Sequence, residues 1–144
     1  MLKIKEQDTE NKDKPDKKIS LKERTVVAEK FTFNFSFITT RKEYNIRNCE
    51  PKVKKKLLEK LESLSSDDIV AIMALPREQG MEIMSENEVN ISPNSDFISS
   101  GRAKKAHDGY YIFRLNTLGR VIGKVIENVF YIIAIDTKFD LYKH

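Results

Sequence analysis

YYIFRLNTLGRVIGKVIENVFYIIAID, residues 110 to 136, decides the fold. Aromatic and β-branched residues dominate it, and the turn signals NTLG and EN cut it into runs at about 110–115, 119–126 and 129–136. Three runs joined so tightly predict an antiparallel meander. With Glu127 and Asn128 as a two-residue turn, Ile126 pairs with Val129, Lys124 with Tyr131 and Arg120 with Ile135, and cross-strand partners share a face. One face then carries Val121, Gly123, Val125, Phe130, Ile132 and Ala134, a core. The other mixes Arg120 and Lys124 with Ile122, Tyr131 and Ile133. Arg114 joins Arg120 if the first turn has three residues and leaves it if the turn has four. Two readings of the mixed face stand side by side: a surface aimed at a negative partner, or a partly covered sheet whose long side chains snorkel outward.

Upstream, FTFNFSFI alternates with period two, putting Phe31, Phe33, Phe35 and Phe37 on one side of a strand. Four phenylalanines without an interleaved cation read as core rather than as a nucleobase platform. Pro51 suits a first helical turn, and Val53, Leu57, Leu58, Leu61 and Leu64 follow at helical spacing. The opposite face carries Lys52, Lys54, Lys55, Lys56 and Lys60, a solvated face with a phosphate-contacting reading as the alternative. SSDD at 65–68 then caps a second short helix, with Ile69, Val70, Ile72, Met73 and Leu75, ended by Pro76. Together these predict an αα-hairpin. MEIMSENEVNI suggests a further strand, and SPNSDFISSGRAKKAHDG reads as loop. The expected fold class is α+β: N-terminal strand, αα-hairpin and C-terminal antiparallel meander.

Residues 1 to 24 are expected to form a charged arm ahead of one α+β domain at 25–144, because almost nothing apolar separates Ile4 from Ile19. Nine basic and seven acidic residues up to Lys30 nearly cancel, which favours a solvated tail over a nucleic-acid arm. The whole chain of 144 residues carries 26 basic and 22 acidic side chains, a net charge of +4 that permits a polyanionic partner without requiring one. One cysteine, Cys49, excludes an internal disulfide framework. No apolar leader and no run of 18 apolar residues is present, so the expectation is a cytoplasmic protein without a membrane role. Two histidines 37 positions apart and a lone cysteine give no metal-ligand spacing, and five scattered glycines form no phosphate-cradling loop. No metal and no cofactor is expected.

The order strand, two helices, meander with arginines resembles the RelE/ParE superfamily of small toxins, above all the ribosome-dependent messenger-RNA interferases. The likeness spans roughly residues 30 to 144. Its motifs are an aromatic-x-x-Arg strand ending in Arg114, a GRVI strand carrying Arg120, an apolar third strand, and the closing LYKH with Tyr142 and His144. The resemblance implies an RNA-cleaving toxin that acts on mRNA at the ribosome and is restrained by an antitoxin protein.

Cleavage through the ribose 2′-hydroxyl needs a base, cations for the charge that builds on phosphorus, and a proton donor for the leaving oxygen. The implied catalytic set is Arg114, Arg120, Tyr142 and His144, with Lys104, Lys105, Lys124 and Tyr131 binding RNA. His144 serves as acid or base, since an unperturbed imidazole titrates near pH 6.5; His107 is a second imidazole candidate. The chain departs from the pattern in lacking an obvious single base, in its charged arm and in the long tail IDTKFDLYKH. A non-catalytic protein of the same fold, perhaps an accessory protein of a mobile element that binds RNA or protein, is the alternative. A small enzyme inhibitor using the charged meander face is a third reading.

Overall fold

A computed structural model describes residues 29–143. The arm expected at 1–24 and the imidazole of His144 lie outside the described residues. Five strands form one mixed sheet: β1 (Thr32–Asn34), β2 (Met81–Met84), β3 (Tyr110–Arg114), β4 (Arg120–Ile126) and β5 (Val129–Asp136). Their spatial order is β1-β5-β4-β3-β2, antiparallel throughout except that β1 runs parallel to β5. Between β1 and β2 come α1 (Pro51–Leu64) and α2 (Ile69–Ala74); between β2 and β3 come α3 (Ser95–Ser99) and α4 (Arg102–Lys105). The α+β class and the order strand, two helices, meander follow the sequence reading.

Pro51 starts α1 at a position whose N–H has no helical partner to lose. Val53, Leu57 and Leu64 bury one face of the helix, while Leu58, expected on that stripe, is 70% exposed because it is turned a further residue around the axis. The Asp68 carboxylate accepts the Ala71 N–H and caps α2, as SSDD suggested. The stretch read as loop after Pro93 instead holds α3 and α4. Asn94 caps α3 through the Asp96 N–H, and Phe97, fully buried, anchors it.

Two other expectations fail locally. β1 stops at Asn34, whose side chain accepts the Ser36 N–H and turns the chain. The four phenylalanines therefore do not share a face. Phe31 and Phe33 pack with Phe113 and Phe130, Phe35 is turned outward and 38% exposed, and Phe37 packs against Phe97 and Tyr131. Along β4 and β5 the register shifts between Ile122 and Gly123, where a Cβ would run into the Phe130 ring and the Tyr131 carbonyl. Arg120 consequently pairs with Asp136, not Ile135. Ile135 goes to the core with Val121, and Ala134, expected there, moves to the opposite face beside Ile122.

That opposite face is covered. The first face buries Phe31, Val53, Leu57, Phe113, Val125 and Phe130 under α1. The second buries Ile112, Ile122 and Ala134 beneath Tyr44, Val89, Leu141 and Tyr142, so the tail after β5 roofs the centre of the sheet.

Candidate functional site

At one end of the roofed face the sheet opens. Arg114 ends β3 and Arg120 begins β4; the two are cross-strand partners and project to the same face. The turn between them is tied by Leu115 N–H to Gly119 O and Leu118 N–H to Leu115 O. One Arg120 Nη1 donates to the carbonyls of Asn116 (2.9 Å) and Gly119 (3.0 Å), which fixes the guanidinium at the turn. The Nε of each arginine is buried without a hydrogen-bond partner. Two adjacent guanidiniums with unused buried donors are uncommon, because an unmet buried donor costs about 1–3 kcal/mol.

The counter-charge comes from Glu82 on edge strand β2. Its Oε2 lies 3.7 Å from Arg114 Nε, an ion pair too long to be a hydrogen bond, and its Oε1 lies 3.8 Å from Arg77 Nη1. The Tyr142 hydroxyl donates to Glu82 Oε2 at 3.3 Å. Burial, and then the Glu82 carboxylate, raise the Tyr142 phenol above its ordinary value, with Arg120 working the other way. The phenol thus holds its proton at neutral pH. An open cleft of about 460 Å³ runs beside this group, lined by Glu78, Arg114, Asn116, Thr117, Arg120 and Phe139.

Tyr142 reaches the site because Asp136 turns the chain back. This fully buried carboxylate accepts the N–H groups of Lys138 (3.1 Å), Asp140 (3.4 Å) and Leu141 (3.0 Å). Tyr44 adds a hydrogen bond from its hydroxyl to Asp140. Inside this brace Phe139 takes φ 58, a left-handed conformation costing roughly 1–2 kcal/mol for a residue with a Cβ. The Arg120 guanidinium carbon sits 5.0 Å from the centre of the Phe139 ring.

Three of the four expected catalytic side chains, Arg114, Arg120 and Tyr142, therefore meet. The other expected RNA-binding residues do not join them. Lys124 was expected on an open face, but it is 2% exposed, bonded to Glu86 and to the Gly109 carbonyl, with the Tyr110 ring beside it. It lies four residues along β4 from Arg120, about 13 Å away. Tyr131 packs with Phe37, Phe97 and Arg102. Lys104 and Lys105 stand exposed on α4 and do not line the cleft. His107 lies near Tyr111, whose side chain belongs to the first face. Burial raises the Cys49 thiol above its ordinary value, with Lys54 opposing, so it is a poor nucleophile. Among the described residues no group of His, Cys, Asp and Glu could hold a metal ion, and no helix is long and apolar enough to cross a membrane.

Glu82, Phe139 and Asp136 escaped the sequence reading. Glu82 sits in a weakly patterned strand, and its role depends on the pairing of β2 with β3. Asp136 had a signal, an acidic residue at a strand end followed by turn residues. Compared with known proteins, the chain matches no family model, no curated protein and no solved structure.

Proposed function

We propose that the cleft is an RNA phosphodiester site and that the protein is a RelE-like, RNA-cleaving toxin. The observation that carries this reading is the pair Arg114 and Arg120, with buried unpartnered Nε atoms, next to a carboxylate and a phenol. Glu82 supplies the base that the sequence seemed to lack. In the proposed reaction it takes the proton from a ribose 2′-hydroxyl, and the 2′-oxygen bonds to phosphorus as the bond to the 5′-oxygen breaks. The 5′-oxygen leaves as a hydroxyl with a proton from Tyr142 or His144, and the other product is a 2′,3′-cyclic phosphate. Arg114 and Arg120 hold the charge that builds on the phosphoryl oxygens. Messenger RNA on the ribosome is the proposed substrate, with an antitoxin protein as the restraining partner.

A second reading has its own support. Glu82 is already engaged by Arg77, Arg114 and Tyr142, an arrangement that also suits a non-catalytic accessory protein binding RNA or protein through the arginines. Induced expression of the chain, with growth and transcript ends followed, separates the two. The toxin reading requires growth arrest and new mRNA ends that vanish in Glu82→Gln. RNA binding without new ends in the unaltered protein would leave the accessory reading.

A further inference from the structure

Phe139 belongs to neither apolar cluster of the described residues, yet its ring is half-buried on the cleft wall. Its backbone sits at φ 58, where glycine or asparagine is the ordinary occupant. The strain is imposed from both sides. Asp136 accepts the N–H groups of Lys138 and Asp140, the two neighbours of Phe139, so the position cannot relax without unseating the tail. A bulky residue persists in that conformation only where its surroundings over-determine it, and such positions gather at ligand sites. Here the result is a flat aromatic surface immediately beside two guanidiniums, one of them stacked at 5.0 Å.

A ligand matching that pairing carries an anion and a planar ring a few bonds apart. We propose that Phe139 is a nucleobase-stacking wall, so that the site takes a nucleotide by its phosphate on Arg114 and Arg120 and by its base on Phe139. The inference rests on the phosphate reading above and adds what lies beside the phosphate. Stacking on a phenylalanine tolerates all four bases, so the wall contributes grip and placement rather than sequence preference.

The full-length protein is titrated calorimetrically with inorganic phosphate and with adenosine 3′-monophosphate. The expected result is binding of both, the nucleotide about tenfold or more tighter, the range of one stacked base. Phe139→Leu should lose that preference and keep its phosphate affinity; Phe139→Tyr should retain both. Phe139→Asn, which suits the left-handed backbone, should melt no lower than the unaltered protein and still lose the preference. Phosphate binding with no nucleotide preference, or a preference that survives in Phe139→Leu, would overturn the wall alone. Binding of neither probe would sink the phosphate site and the wall with it.

Discussion

Glu82 is the side chain that separates chemistry from mere binding. Replacement by Gln keeps its shape and its place under the Tyr142 hydroxyl but removes its basicity. Under the catalytic reading, Glu82→Gln should lower the single-turnover cleavage rate about 10²- to 10⁴-fold and leave RNA affinity nearly unchanged. A variant that cleaves at the parent rate would remove Glu82 from the mechanism. Arg120 needs a gentler change than its position on the sheet first implied. Its guanidinium holds two turn carbonyls, so Arg120→Ala should cost about 1–2 kcal/mol of stability along with activity. Arg120→Lys keeps the charge but loses the fork, and should reduce cleavage with a melting temperature closer to the parent. A thermal melt beside each assay distinguishes lost chemistry from lost fold.

At the scale of elements, β1 and the tail carry the sharpest tests. Phe33 packs edge-on against Phe31 and Phe113, and Phe33→Ala should cost about 3 kcal/mol in denaturant unfolding. Phe35 lies beyond the Asn34 turn, and Phe35→Ala should cost less than about 1 kcal/mol; equal losses would contradict the bend. Asp136→Ala should cost about 2–4 kcal/mol, because it strips the Lys138, Asp140 and Leu141 N–H groups of a buried acceptor. Much of this was legible in the chain. The meander boundaries, the proline-started helix and the SSDD cap all follow from local rules about turns, periodicity and capping. What was not legible depends on partners far apart: the bulge at Gly123 that sends Ile135 inward, the roof formed by Leu141 and Tyr142, and the place of Glu82. Period-two alternation carried through FTFNFSFI missed the turn because one asparagine amide oxygen outweighs a hydrophobic pattern where the strand has only three paired residues. Arg114 and Arg120 came out together because cross-strand pairing is itself a local rule, whereas Lys124 was misread because its ion partner, Glu86, is 38 residues away.

For the molecule as a whole, alkaline pH offers a direct probe of the roofed face. Burial, and secondarily Glu86, push the Tyr110 hydroxyl up to about 12, while an unfolded chain ionises near its ordinary value of 10.0. The folded state therefore keeps a proton that the unfolded state releases. Its contribution is whole below about pH 10 and is lost as pH rises toward about 12. Melting temperature should fall across that window, and Tyr110→Phe should flatten the fall while losing the hydrogen bond to the Ile91 carbonyl. The parallel clasp of β1 on β5 has a consequence in time rather than in energy. It joins groups 96 and 98 residues apart in the chain, Thr32 to Asn128 and Asn128 to Lys30, so it closes after the local hairpins have formed. Refolding should be slow for a chain of this size. If the clasp is absent from the rate-limiting barrier, Phe33→Ala will speed unfolding in stopped-flow traces and leave the refolding rate almost untouched.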